Sequence, residues 1–375
     1  MTEAETRAAS WLQSWDAQGT HRTGTASDAA GAEWLAAEAR SLGAEVTIEE
    51  FALDRLDPAA SYLELGDKRI EAVPVFDAPA TDANGIEGRL GSDIAVVELS
   101  PRAVYSGEFQ RLRRVGGNRG LIVVCKGDAP GLALINAEDF RTPYGPPAIH
   151  VSSEAGDAVL AAVRDGASAR LVSHSRHNKA TALNIVAMLP GRDCDRPPLV
   201  VMTPRSSWWH STAERGGGLV CWLESLRATI DRQPARDIVF TANSGHELGH
   251  LGLDDFVARR PGWDKPGGAD WVHYGANLGA FGSWLSLVSN VEELRALGLA
   301  ELTHAGQPPD DIPWPSQPPS GETRDIHKAG GRYLTLVGSN RLFHLPQDRW
   351  PHAVNVPAIT RIAAAAAHMV MALGR

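Results

Sequence analysis

From residue 184 to the C-terminus, short apolar runs alternate with stretches of helical periodicity. That alternation restricts the chain to an α/β sheet with helices on both faces. The runs lie at 184–189, 199–202, 238–242, 272–278 and 333–337. Between the second and third, Leu219, Trp222, Leu223, Leu226 and Ile230 recur at i, i+3, i+4, i+7 and i+11, which gives a helix one apolar face. Gly216, Gly217 and Gly218 read as a glycine-rich turn in front of it. A further helix is expected from about Glu247, and a closing one opens with Pro357 at a first-turn position. Upstream, the first helical signal covers 27–42, with Gly43 as its stop. A strand follows at 46–51.

Near residue 54 the texture changes to short apolar strands separated by turns, with helical pieces at 109–115 and 155–163. This predicts a small β-rich insert at 54–178 within a main domain made of 1–53 and 179–375. Two loops stand out: 262–270 is rich in Gly and Pro, and 304–322 carries six prolines. Long loops of this kind act as lids over functional sites or are disordered.

Composition narrows the partners. The chain has 375 residues, a formal charge of −9 and no cluster of Lys or Arg, which argues against nucleic acid or an anionic membrane as partner. Cys125, Cys194 and Cys221 show no CxxC spacing, so neither a disulfide framework nor a thiolate zinc site is expected. The first residues lack the basic and apolar segments of a signal peptide, and 362–373 is too short to span a bilayer. A cytoplasmic location is the expectation. Homo-oligomer formation is left open.

Three segments past strand ends carry the chemistry. Ser244-Gly245-His246-Glu247-Leu248-Gly249-His250 contains H-E-x-x-H. On a helix, that motif puts two imidazoles on one face to hold zinc, with the Glu as base. Here it follows a strand directly, at the edge where α/β sheets bind ligands. The second segment, Trp208-Trp209-His210-Ser211-Thr212-Ala213-Glu214, follows the strand at 199–202. The third, Phe343-His344-Leu345-Pro346, follows the strand at 333–337. Glu214, Glu247 and His344 thus form a plausible set for one Zn²⁺ with an open position for water.

These segments resemble the zinc aminopeptidase and glutaminyl cyclase family, whose members often carry a protease-associated insert. The resemblance covers nearly the whole chain. His21-Arg22-Thr23-Gly24-Thr25 is similar to the family's N-terminal opening, and 184–190 to its "LPG" re-entry strand. The segment 244–252 resembles "GEELGLLGS", and 343–348 resembles "YHTxxD". The resemblance implies a mixed-sheet exopeptidase fold, zinc, and hydrolysis of an amide or peptide bond in a small molecule or short peptide. It also implies departures. Pro204 stands at the first ligand, Glu214 at the bridging Asp, His246 at the catalytic base, and Gly279 at a second-metal Asp. Glu247 and His344 are retained. With this reduced set the resemblance to the single-zinc cyclases makes a mononuclear site the expectation.

His246 is then either a general base on metal-bound water or a fourth ligand. His250 and His210 are candidates for an extra ligand or for orienting one. Metal-dependent hydrolysis is the leading reading. A cyclase-like transferase, a non-catalytic scaffold and a zincin with His246 and His250 as ligands are the alternatives. Of 11 Trp, Trp208, Trp209, Trp314 and Trp350 fall beside the site segments. They predict an indole-lined pocket for an apolar or aromatic substrate.

Overall fold

The computed structural model describes residues 1–103, 106–315 and 318–375. Its elements in chain order begin with α1 (Glu3–Asp16), α2 (Ala26–Ser41) and β1 (Val46–Leu65). Next come β2 (Lys68–Pro74), β3 (Ile86–Arg89), β4 (Ile94–Leu99), α3 (Gly107–Arg114), β5 (Gly120–Cys125), β6 (Ala148–Val151), α4 (Ser153–Arg164) and β7 (Ser168–Leu189). The second half holds β8 (Leu199–Pro204), α5 (Thr212–Thr229), β9 (Ile238–Asn243), α6 (Leu251–Ala258), β10 (Asp270–Tyr274), β11 (Leu285–Ser289), α7 (Glu292–His304), α8 (Thr323–Ala329), β12 (Arg332–Gly338) and α9 (Val356–Leu373).

Strand pairing follows one path, β11-β12-β10-β8-β9-β7-β1-β2-β6-β5-β4, with β3 added on β7. The centre of the main part is parallel: β12 on β10, β10 on β8, and β8 on β9. Parallel strands buried on both faces read as continuous apolar runs, which is why these were the legible ones. β7 and β11 add antiparallel strands on either side. The sheet is therefore mixed. One face packs on α1, α2, α5, α7 and α9 around Trp15, Trp222 and Tyr274; the other packs on α6 and α8 around Phe256, Trp271 and Tyr333. Each such side chain contributes on the order of 2 kcal/mol of burial.

β1 and β7 pair antiparallel from Val46↔Ala187 to Leu65↔Ala169, with a register shift between Pro58 and Ala60. This long ribbon runs unbroken from the main sheet into the 54–178 region, where β4, β5 and β6 are parallel. Asp57 sits on the ribbon. Burial pushes its carboxyl up, but Arg55, Arg22 and Asn178 outweigh that and hold it far below the usual range.

Several local expectations need correction. Gly216, Gly217 and Gly218 are not a turn; they lie inside α5. A Cβ on Gly217 would stand 1.9 Å from the Leu278 carbonyl oxygen, and one on Gly218 2.6 Å from Thr203 Oγ1. The glycines let the helix press onto the strand ends. No helix starts at Glu247. A 3₁₀ turn over His246–Leu248 is flanked by Gly245 (φ 82°) and Gly249 (φ 84°), and His250 is itself left-handed at φ 65°. Three left-handed residues break α-helical hydrogen bonding, so α6 begins only at Leu251. The strand expected at 272–278 stops at Tyr274. Pro357 sits one place later than read, because Asn355 is the N-cap of α9 and accepts from the Ala358 amide. α9 is apolar and long enough to cross a bilayer by length and composition, and half of it is buried in the core beside α5 and α7.

Candidate active site

The C-terminal ends of β8, β9, β10 and β12 meet at one edge of the sheet. A cavity of about 640 Å³ opens there. Its two walls carry different sets of ionisable groups.

The first wall is built around the left-handed turn after β9. The turn keeps His246 and His250 off a common helix, yet it brings their rings to 5.1 Å between centroids. Glu322, at the end of the proline-rich loop, completes the group. One ligand atom from each of His246, His250 and Glu322 lies within 4.8 Å of the others, and all three residues are buried. Gly321, just before Glu322, is left-handed at φ 70°, a conformation that favours glycine. His246 Nδ1 is 2.7 Å from Glu322 Oε1. His273 on β10 presents Nε2 3.3 Å from Glu322 Oε2, and neither of those two atoms has a hydrogen-bond partner. Thr323 and Thr335 hydroxyls hold the opposite nitrogen at 2.6 and 2.7 Å.

Asp325 Oδ2 holds His250 Nδ1 at 2.5 Å, which leaves Nε2 as the ligating nitrogen. Burial alone would lower the His250 pKa, but Asp325 and Glu322 raise it on balance. Burial brings His246 down to about 4 against the pull of Glu322. Glu322 itself is pushed up by burial, and His246 and His273 more than offset that, holding it well below the carboxylate range.

Glu138 lines the same cavity and pairs with Arg324 at 3.0 Å. Burial raises its pKa to about 7, the pull of His250 opposes this, and the negative charges of Asp77 and Asp325 add to the rise. Its backbone is fixed from below. Asp77 accepts from the Glu138 and Asp139 amides at 2.9 and 3.2 Å and is ion-paired to buried Arg113 at 2.8 Å. The next backbone amide, Ala137 N–H, donates to the Glu247 carbonyl at 2.8 Å, so the 54–178 region contributes directly to the site.

The second wall is formed by His344; behind it lie the other two groups expected from the sequence, Glu214 and Glu247, fully buried and not themselves lining the cavity. Glu214 and His344 meet, with His344 Nε2 3.3 Å from Glu214 Oε1. Glu247 is engaged elsewhere. Its Oε1 accepts from the Thr23 amide (2.9 Å) and hydroxyl (2.6 Å), and its Oε2 accepts from Ser206 Oγ (2.6 Å). Ser206 Oγ also accepts from the Gly245 and His246 amides. Glu247 therefore ties the turn after β9 to the loops at Thr23 and Ser206. Pro204 ends β8 and Gly279 is left-handed at φ 70°; neither side chain is a donor. Among the described residues, Glu214, Glu247 and His344 do not form a group with ligand atoms mutually within 4.8 Å.

Arg215 stands beside Glu214, with Nη2 2.8 Å from Glu214 Oε1 and Nε donating to the Ser206 carbonyl at 2.7 Å. Burial pushes Glu214 up, but Arg215 and His344 outweigh it and hold the carboxyl at about 2. Asp348 accepts from the Ala213 and Glu214 amides and so caps α5, while burial raises its pKa to about 7.

The predicted tryptophans lie outside the cavity lining. Trp208 is core, its ring tilted against Phe76 at 4.5 Å and its indole donating to Asn136 Oδ1. Trp209 donates to the His344 carbonyl. Trp350 packs against the main core, and Trp314 is exposed beneath Arg295. Trp284 and Phe343 are the aromatic side chains on the cavity. His210 is half-buried near Arg349 and Asp16, away from the lining residues.

The architecture matches known structures across nearly its full length. The zinc aminopeptidase of Bacillus subtilis superposes with a TM-score of 0.76 at 16% identity, covering 97% of this chain and 94% of that one. A peptidase M28 precursor from Shewanella amazonensis gives 0.77 at 15% identity, covering 100% and 95%. The chain has the zinc aminopeptidase fold. A glutaminyl cyclase from Fimbriiglobus ruber is similar at 0.54 and 11% identity, covering 98% and 94%. No protein-family model matches the sequence, and no curated protein matches it.

Glu322, His273 and Glu138 were not legible as site residues. They lie far apart in sequence and follow no spacing rule. The one available signal was the proline-rich loop, which ends on Glu322.

Proposed function

We propose that this protein is a metal-dependent hydrolase of small amides or short peptides, with its ion held by His246, His250 and Glu322. The observation that carries the reading is the mutual approach of those three buried donors on the cavity wall, next to the partnerless atoms His273 Nε2 and Glu322 Oε2. Two or three imidazoles with one carboxylate suit Zn²⁺.

A bound divalent ion would supply Lewis-acid polarisation of the scissile carbonyl. The chain's own groups do the rest. Asp325 fixes the His250 ring so that Nε2 faces the site. Glu138, with a pKa near neutrality, accepts the proton of the attacking water and passes it to the departing amine. In this reading His246 is a ligand rather than the base, and Glu247 organises the turn. Trp284, Phe343, Pro318 and Pro319 line the cavity, which favours an apolar or aromatic group on the substrate.

The test is metal content with activity. Wild type should hold one zinc per chain and cleave members of a panel of aminoacyl anilides and N-acyl amino acids. Glu322→Ala and His250→Ala should each lose both the zinc and the cleavage. A chain that takes up no divalent ion, or one whose zinc survives both substitutions, sinks the reading.

A further inference from the structure

The Glu214 wall poses an electrostatic problem that the proposed metal centre does not solve. Glu214 is fully buried, and neither of its oxygens has a hydrogen-bond partner. His344 Nδ1 lies 2.6 Å from the Leu134 carbonyl. A carbonyl only accepts, so Nδ1 carries a proton. Its Nε2 lies 3.3 Å from Glu214 Oε1. A carboxylate without a hydrogen-bond partner in a dry interior calls for a cation nearby.

We propose that Arg215 is that cation: a tethered guanidinium standing where the zinc aminopeptidase fold would carry a metal ion, so that this position takes no metal. The guanidinium is fixed in place, with Nε bound to the Ser206 carbonyl and Nη2 2.8 Å from Glu214 Oε1. Arg215 is 1% exposed. Its Nη1 and Nη2 have no hydrogen-bond partner, so its charge meets Glu214 as an ion pair. The remaining would-be donors agree. Glu247 has both oxygens occupied by Thr23 and Ser206, and Pro204 and Gly279 provide none. Arginine suits the role because it stays charged at every physiological pH and cannot exchange with solvent. The consequence is a permanent positive charge with no Lewis acidity and no exchangeable coordination site. Any metal chemistry then belongs to the opposite wall.

This inference does not depend on the hydrolase reading, and its test separates the two. The double variant His246→Ala/His250→Ala keeps Arg215 and Glu214 intact. After loading with excess zinc and dialysis it should retain no zinc by mass spectrometry. One equivalent that persists there and disappears on adding Glu214→Gln overturns the proposal. Absence of zinc from wild type as well removes the hydrolase reading and leaves the role of Arg215 standing. A second arm reads the pair directly. Arg215→Met should lower Tm by on the order of 5 °C, because it strands a buried carboxylate. Glu214→Gln/Arg215→Met should regain most of that loss. Losses that simply add in the double variant would overturn the proposal.

Discussion

The two walls of the cavity solve the same problem in opposite ways. Both bury carboxylates beside imidazoles at the ends of parallel strands. On the Glu214 wall the charge is closed internally, by Arg215 against Glu214 and by Thr23 and Ser206 on Glu247. On the Glu322 wall His246, His250 and Glu322 bring ligand atoms within 4.8 Å of one another; partnerless buried atoms occur on both sides, Glu322 Oε2 and His273 Nε2 here, both Glu214 oxygens and His344 Nε2 there. A buried polar atom without a partner costs roughly 1–3 kcal/mol, and beside Glu214 the Arg215 guanidinium at 2.8 Å offsets that cost.

Removing a donor from the open wall tests the comparison most strongly. Glu322→Ala should lower kcat/KM on the order of 10³-fold, since the ion's electrostatic stabilisation amounts to several kcal/mol. Bound zinc should fall in parallel, by mass spectrometry. On the closed wall, Glu247→Ala should behave in the contrary way. It strands the Thr23 and Ser206 donors and should cost about 3 kcal/mol of stability by chemical denaturation, with the zinc still bound. Zinc lost with Glu247 but kept without Glu322 would exchange the roles of the two walls.

Glu138 gives the next effect. With its pKa raised to about 7, it is protonated and unable to act as a base below that pH. Activity should therefore rise as pH climbs through 7 and level off above it. Glu138→Gln should lower kcat about 100-fold and remove that limb of the profile. An unchanged limb in the variant would assign the base to another group.

Much of the frame could be read from residues alone, because buried parallel strands are continuous apolar runs. β8, β9 and β12 were found within two residues of their ends. α1 was passed over, although Thr2 and Glu5 form a capping box. The H-E-x-x-H segment misled in a specific way. Its spacing suggests a helix, but Gly245 and Gly249 impose left-handed backbone, and the two imidazoles converge through a turn instead. Glu214 and Glu247 were recognisable by their place after strands. Their neutralisation was not, because the deciding partners, Thr23, Ser206 and Arg215, are ordinary residues whose roles depend on tertiary contact. Glu322 and His273 are separated by 49 positions (322 − 273), and only the fold brings them within 3.3 Å.

The smallest expected effect concerns the aromatic lining. Four tryptophans were expected around the substrate, and the cavity instead presents Trp284 and Phe343. Trp284 is 47% exposed and Trp314 is 52% exposed, so exposure does not separate them; position does. Phe343 is sandwiched, with His344 stacked at 3.8 Å on one side and Arg102 5.0 Å from its ring, and Trp284 offers the freer indole. Covering it with a substrate ring contributes about 1.4 kcal/mol, or about tenfold in affinity. Trp284→Ala should therefore raise KM about tenfold for aromatic substrates with little change in kcat. Trp314→Ala, whose indole lies under Arg295, should leave KM unaltered. Equal effects from the two substitutions would mean that the proline-rich loop brings Trp314 over the cavity when substrate binds, and the apolar contact surface would then be larger than the lining of the free protein.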